Sequence, residues 1–412
     1  MSKRARKSSV LHVSHNYHVM GGSDRYFMEL SDILEANGHT VIPFCARSAN
    51  NLQSPYQGYF PASVDTLNPS VADAARYVYS AEARRNIGRL LEKESVDLAH
   101  LHIYYGKLTS SILGPLKQKG IPIIQTLHEY KHLCPVYTCV SGDQICEACA
   151  GRYFYRCITR KCNRSSIVRS IGSTLESYVS RWLGSVDQID HFIGVSQFMT
   201  DKMVGIGIPA EKISTIHNFV DPARYTPARG TQSYVLYFGR LEKTKGVFTL
   251  LEAMRELPNI KCLIAGDGGA KQELRTTIDK HGMNNVELVG FTVGDKLHDL
   301  IRNAICTVLP SEWYENCPMS LLESMALATP VVGTRIGGIP ELIADGVDGR
   351  LVEPAQPDEL AAAIRELAEQ PGLGAEAGTA ARAKIESEFN AASHYQKIHD
   401  VYTKVLSRGA GD

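Results

Sequence analysis

The chain has little of what would mark it for a membrane, a secretory route or a nucleic acid. Its 412 residues include two tryptophans, and no run reaches the roughly 18 consecutive apolar residues that a spanning helix needs. Lys and Arg number 44 and so do Asp and Glu. With no net charge, the molecule as a whole lacks the electrostatic footprint of a nucleic-acid binder. The start, MSKRARKSSV, is basic, but the apolar run behind it is broken by His12, Ser14 and His15, and no small-residue cleavage site follows. No secretory signal is expected, which points to a cytoplasmic protein. In a reducing compartment ten cysteines favour metal ligation or plain burial over disulfides.

What is present is the material of a globular α/β protein. The length exceeds the size at which one core keeps growing, so two domains of about 200 residues each are expected. Residues 10–14 read as a buried strand that runs into HVMGGSDRYFMELSDILEANGHTV. Gly21 and Gly22 lack Cβ, which lets the backbone turn tightly and a ligand approach closely. Phe27, Leu30, Ile33 and Leu34 then recur at helical spacing, with Gly38 placed as a C-terminal cap. Strand, glycine loop and helix is the order of a doubly wound nucleotide fold. Further apolar segments at 41–44, 98–102, 121–127 and 191–195 alternate with helical spacing such as 83–91, as in a parallel sheet covered on both sides. Residues 50–70, rich in Ser, Pro, Gln and Asn, read as a surface loop. In TLHEYKHLCP, His128 falls at the carboxyl end of a strand. There it can contact a sugar hydroxyl or phosphate, exchange a proton, or simply cap the strand.

Six cysteines crowd into residues 134–162. Cys146 and Cys149 form a CxxC, and Cys157 and Cys162 follow at once, which would complete a tetrahedral sulfur site for structural zinc. Free or redox-paired thiols and an iron–sulfur cluster are the other readings. Arg152, Arg156, Arg160, Lys161, Arg164, Arg169 and Arg181 follow or overlap this stretch, with Tyr153, Phe154 and Tyr155 interleaved and Glu176 as the only acid between Arg152 and Arg181. Residues 167–183 suit an amphipathic helix with Ile171, Leu175, Tyr178 and Trp182 on one side. Such a basic patch can lie on anionic lipid, bind a phosphorylated acceptor, or be a solvated face over an ordinary core.

Residues 221–230, DPARYTPARG, read as a linker. The strand at 234–238 leads into GRLEKTKG, where Arg240 and Lys245 flank a turn and can both point at one anion. IKCLIAGDGGAKQEL is another strand, glycine turn and helix; Lys271 occupies the third glycine position of a dinucleotide fingerprint, so Gly266 and Gly268 are expected to approach a nucleotide base through their backbone instead. In residues 311–354, Glu315 and Glu323 bracket Pro318, which suits a first helical position. The amides of Met319 and Ser320, with the positive end of the helix dipole, then offer a site for a diphosphate. Glu323 can be a binding carboxylate or only a helix-start acid stabilised by that dipole.

Taken together, the GG loop at Gly21, GRLEKTKG, AGDGG, the paired glutamates and TRIGGIPELI resemble the retaining glycosyltransferases of family 4, over nearly the whole chain. The resemblance implies the GT-B fold: α/β, with two Rossmann-like doubly wound domains facing each other across a cleft. It puts an acceptor-side domain at 1–222 with the cysteine-rich insertion 134–162, a nucleotide-sugar-binding domain at 231–390, and a C-terminal helix at 391–412 packing back on the first domain. It implies a nucleotide diphosphate sugar donor, a saccharide or lipid-linked acceptor, no nucleic acid, and no cofactor required for catalysis. Residue by residue, Arg240 and Lys245 would neutralise the diphosphate, the amides of Met319 and Ser320 would cradle it, and Gly21 and Gly22 would close over it. Glu323 would hold the ribose, while Glu315 and His128 would stand at the donor sugar. Cys317, where many members have glycine, departs from the pattern. The implied enzyme moves a sugar with retention in polysaccharide synthesis, in the cytoplasm or at the inner face of the membrane. A nucleotide-sugar epimerase on the same fold and a metal-stapled nucleic-acid-binding or scaffold protein are the alternatives.

Overall fold

Short, nearly continuous apolar segments can be buried on both faces only if helices cover them, and the strands of this chain are built that way. The computed structural model describes residues 7–65, 68–227 and 230–408. Parts of the basic N-terminus (1–6), the expected loop (66–67), the expected linker (228–229) and the C-terminus (409–412) lie outside the described residues. The chain divides into two compact units: Met1–Gly142, Cys146–Ile216 and His394–Asp412 form one, and Asp143–Ile145 and His217–Ser393 the other.

The first unit is a parallel sheet of β1 (Ser9–Val13), β2 (Thr40–Phe44), β3 (Leu98–Leu101) and β4 (Ile123–Leu127), followed, after two short strands in the cysteine-rich insertion, β5 (Val140–Ser141) and β6 (Gln144–Ile145), by β7 (His191–Gly194) and β8 (Ile213–Thr215). The order is β2-β1-β3-β4-β7-β8, so the direction of winding reverses between β1 and β3, the point where such sheets open at their carboxyl edge. His12 on β1 stands in register with His100 on β3, and His102, two residues on, shares the face of His100. The C-terminal helix, Ala391–Arg408, is tied to this unit by three buried hydrogen bonds. They join Tyr26 to His394 at 2.9 Å, His39 to Tyr395 at 3.0 Å and His100 to Tyr402 at 2.7 Å.

The helix Ile167–Trp182 departs from the amphipathic rule. Its buried residues are Ser170, Ser173, Thr174, Glu176, Ser177 and Ser180, while Ile171, Leu175, Tyr178 and Trp182 face solvent. The inward polar groups other than the Ser177 hydroxyl are met by hydrogen bonds or an ion pair rather than by apolar packing. Glu176 takes the Lys131 ammonium at 2.5 Å, Ser173 accepts from Asn163 at 2.8 Å, and Thr174 donates to the Phe154 carbonyl at 3.2 Å.

The second unit holds β9 (Tyr234–Arg240), β10 (Lys261–Asp267), β11 (Val286–Gly290), β12 (Ala304–Leu309), β13 (Val331–Thr334) and β14 (Gly349–Val352) in the order β11-β10-β9-β12-β13-β14. Val235, Tyr237, Leu250, Met254, Ile264 and Ile364 are among its core residues. This is the Rossmann strand order, and its switch point lies between β9 and β12. Arg240 ends β9, Lys245 follows it, and Glu315 follows β12, so the topology alone brings those segments to the crevice. Among the described residues no helix is long and apolar enough to cross a membrane.

Candidate functional site

At the switch point of the second unit the Lys245 ammonium lies 2.5 Å from Glu315 Oε1, and both side chains are largely buried. The same oxygen accepts from Ser311 Oγ at 2.6 Å and from Trp313 Nε1 at 2.9 Å. Burial alone would raise the Glu315 carboxyl, but the Lys245 charge and these three donors outweigh it, and its pKa is lowered. Burial lowers Lys245, and the Glu315 charge opposes that. Each charge thus favours the ionised form of the other. The Trp313 ring packs beneath both cations, 4.7 Å from Lys245 Nζ and 5.8 Å from the Arg240 guanidinium. Arg240 itself is exposed, leaving its planar fork of donors open to a phosphate.

The backbone around this pair is held tightly. Gly338 N–H donates to the Glu315 carbonyl at 2.7 Å, which seats the GG turn of the TRIGGIPELI segment against it. Gly266 and Gly268 pack closely against the chain that carries Arg240. Their φ values are +155° and +157°, and an added Cβ would come within 1.9 Å of the Gly239 carbonyl at the first and 2.4 Å of the Leu241 carbonyl at the second. Their missing Cβ admits the backbone of Gly239 and Leu241, and so fixes the turn that carries Arg240 and Lys245.

The helix expected after Cys317 is Met319–Ala326, with Pro318 as its N-cap. Pro318 is thus one position earlier than expected, because its ψ of 122° is extended rather than helical. The helix's first backbone bonds run from Leu321 N–H and Leu322 N–H to the Pro318 carbonyl. The amides of Met319 and Ser320 precede them at the positive end. Glu323 is buried one turn in, among Leu321, Leu322 and Met325. Cys317 is buried too; its carbonyl accepts from Asn218 Nδ2 at 2.7 Å, and burial pushes its thiol up to about 12. It acts as a small core residue.

In the first unit His128 ends a chain of buried imidazoles. Ser31 Oγ donates to the Phe27 carbonyl at 3.0 Å, so towards His12 Nδ1, 2.8 Å away, it can only accept. His12 therefore carries its proton on Nδ1, and its bare Nε2 accepts from His102 Nε2 at 2.6 Å. His102 Nδ1 in turn accepts from His128 Nε2 at 2.9 Å. The tautomer of His128 is set from the core outward: Nε2 is the donor and Nδ1 an acceptor. Burial lowers all of these histidines, His12 and His128 to about 3, which keeps the chain neutral.

Gly21 is the N-cap of the helix Gly22–Ala36, in an extended conformation any residue could adopt, with open space where a Cβ would be. The tight turn expected there is absent. Asp24 accepts from the amides of Met20 and Gly21, each at 3.1 Å, so the amides at this end are already engaged by a carboxylate.

Comparison with known proteins agrees with this architecture. Residues 20–224 match the family described as Glycosyltransferase Family 4, and residues 224–384 match Glycosyl transferases group 1. The chain belongs to glycosyltransferase family 4. Its relatives include the amylovoran biosynthesis glycosyltransferase AmsK of Erwinia amylovora, 29% identical over 232 residues, or 53% of this chain and 57% of that one. Another is the glycogen synthase of Mycobacterium tuberculosis, 32% identical over 222 residues, or 52% and 53% of the two chains. The chain thus spans little more than half the length of these relatives. Sucrose-phosphate synthase from Thermosynechococcus elongatus superposes with a TM-score of 0.73 at 17% identity, covering 98% of this chain and 100% of that one. Anabaena HepE in complex with UDP gives 0.67 at 18%, covering 96% and 100%. These likenesses establish the GT-B fold.

The cysteines of this family 4 chain are arranged less simply than their spacing suggests. Cys149 interacts with Cys134, Cys157, Cys162 and Cys146, and burial pushes it up to about 12. Cys134 is instead held down to about 6, chiefly by a hydrogen bond with Cys139, and Arg160 donates to Cys146 Sγ at 3.3 Å. Among the described residues no three cysteine sulfurs gather within metal-ligand reach of one another, so Cys146, Cys149, Cys157 and Cys162 do not form a closed tetrahedral set as placed. His12, His100 and His102 do gather. Their nitrogens, however, already serve hydrogen bonds: His100 bonds Tyr402 and Thr126, each at 2.7 Å, and the other two belong to the chain above.

Sequence reading missed Ser311 and Trp313 as donors to Glu315, and His12 and His102 as supports of His128. The signal for the histidines was available: three adjacent strands, β1, β3 and β4, each carry a histidine near or just past the carboxyl end.

Proposed function

We propose that this chain is a retaining glycosyltransferase that moves a sugar from a nucleotide diphosphate sugar to a saccharide or lipid-linked acceptor in polysaccharide synthesis. One observation carries the reading: the Lys245–Glu315 ion pair at the Rossmann switch point, flanked by exposed Arg240 and the open end of the helix Met319–Ala326. Arg240, Lys245 and the first helix amides supply positive charge for a diphosphate, and Glu323 lies one turn further along for the ribose. Glu315 Oε1 is committed to three donors, which orient Lys245; its second oxygen serves the donor sugar. His128, held neutral with Nδ1 as acceptor, takes the sugar-side role in the first unit. The leaving diphosphate itself accepts the acceptor's proton on the front face, so no paired glycosidase carboxylates are needed. HepE, a structural neighbour, was crystallised with UDP, which supports a nucleotide donor of this class. The protein acts at the cytoplasmic surface of a membrane.

The test is product analysis with donor and acceptor together, for the parent chain and for Arg240→Ala and Glu323→Ala. Transfer to the acceptor with the donor's anomeric configuration retained is expected, lowered at least about a hundredfold in either variant. An epimerised donor without transfer, or variants as active as the parent, would overturn the reading.

A further inference from the structure

The helix Ile167–Trp182 and the segment before it form a surface that the transfer reaction does not use. At about 100° per residue, Ile167, Val168, Ile171, Leu175, Tyr178 and Trp182 fall within a single arc of about 100°. All six are exposed, Val168 by 78% and Trp182 by 84%. An outward apolar stripe of this kind normally turns in to join the core. Here the inward side is Ser, Thr and Glu, held by Lys131, Asn163 and the Phe154 carbonyl. Rotating the helix to bury its apolar arc would break that buried network and strand the Lys131–Glu176 pair.

The stripe is continuous with two more exposed aromatics. Tyr178 OH donates to the Arg152 carbonyl at 3.2 Å and accepts from Tyr155 N–H at 3.3 Å, which brings exposed Tyr153 and Tyr155 alongside. In the same segment Arg152, Arg160, Lys161 and Arg164 are exposed, while Arg156, Arg169 and Arg181 are half-buried. The one acid of the stretch, Glu176, is buried and paired. No negative side chain of this segment reaches the surface to offset them.

We propose that this face is the docking surface for an anionic lipid bilayer. The apolar arc, ending in Trp182, enters the boundary between headgroups and acyl chains, and the arginines and Lys161 sit at the lipid phosphates. Large apolar side chains backed by cations and rimmed by Tyr and Trp are the composition that lies in a membrane interface. A second copy of the chain fits poorly, because a two-fold contact would set the exposed cations Arg152, Arg160, Lys161 and Arg164 against their own copies. The inference deepens the membrane placement proposed above by naming the surface responsible, and it is independent of the transfer chemistry.

The experiment is cosedimentation of the full chain with vesicles of equal parts phosphatidylglycerol and phosphatidylcholine, and with vesicles of phosphatidylcholine alone. The parent is expected to partition onto the anionic vesicles, and less so as salt is raised. Val168→Ser with Trp182→Ser, and separately Arg160→Glu with Lys161→Glu, should each lower that partition on the order of tenfold. All four side chains lie on the surface, and unchanged thermal unfolding confirms that the variants fold. Partition that is absent, equal on neutral vesicles, or untouched by either pair would overturn the proposal. So would a dimer in solution that Val168→Ser with Trp182→Ser dissolves, since the face would then belong to a second copy. Transfer to a soluble acceptor, assayed in parallel, separates the two readings: lost partition with transfer retained is a failure of the surface alone, and partition without transfer a failure of the reaction alone.

Discussion

Four histidines in the first unit show how single side chains set the chemistry of their neighbours. Ser31 can offer His12 only a lone pair, and from that constraint follow the tautomers of His12, His102 and His128 in turn. The same burial that keeps them neutral makes them sensitive to acid. His12 is lowered from 6.5 to about 3. Between those values the unfolded chain binds the proton and the folded chain does not, so unfolding is favoured as pH falls. The stability tied to His12 is present in full above the unfolded value and is lost at about 1.4 kcal/mol per pH unit below it. His100 and His102 are lowered by burial as well and add to the slope. Urea titrations should show the unfolding midpoint dropping steeply between neutral pH and about pH 5; a flat profile would mean that the imidazoles are not buried neutral. At the second site the opposite economy holds: Glu315 keeps its charge in the interior because three donors, one of them a cation, converge on it. Neither arrangement is local in the chain. Lys245 and Glu315 are 70 residues apart and His12 and His102 are 90 apart, so the residues could be nominated from the sequence but their pairing could not.

Elements were legible where one period dominates. The strands at 10–14, 41–44, 98–102 and 191–195 and the helix after Gly21 lie where apolar spacing put them, within a residue or two. Glycines are harder to read, because absence of a Cβ says that something can come close and not what. Gly266 and Gly268 admit the backbone of Gly239 and Leu241, and Gly21 borders open space. Gly266→Ala is accordingly expected to destabilise the protein on the order of 3 kcal/mol, since its Cβ would stand 1.9 Å from a carbonyl oxygen on an adjacent central strand. Denaturant unfolding measures this directly, and a variant as stable as the parent would show that β9 and β10 are not locked at this point. The helix Ile167–Trp182 misled in another way. Its periodicity was plain in the sequence, but which side faces inward was decided by distant partners such as Lys131 and Asn163.

At the scale of the whole molecule, two sheets with different strand orders repeat one principle. Each winds outward from a central strand, so its crevice opens at the carboxyl ends of β1 and β3 in one unit and of β9 and β12 in the other. The alternation of short apolar strands with helices disclosed the class, and the chain of motifs disclosed the family. The strand orders themselves, and the return of the C-terminal helix to the first unit through Tyr395 and Tyr402, rest on contacts hundreds of residues apart. The central claim is that the crevice built around Lys245 and Glu315 holds the diphosphate of a nucleotide sugar. Thermal unfolding with a panel of nucleoside diphosphates, on the parent chain and on Arg240→Ala, tests it most directly. One diphosphate should stabilise the parent, by roughly 2.7 kcal/mol at a hundred times its Kd, and that stabilisation should be largely lost in Arg240→Ala. No diphosphate stabilising the parent, or equal stabilisation of the variant, would contradict the account.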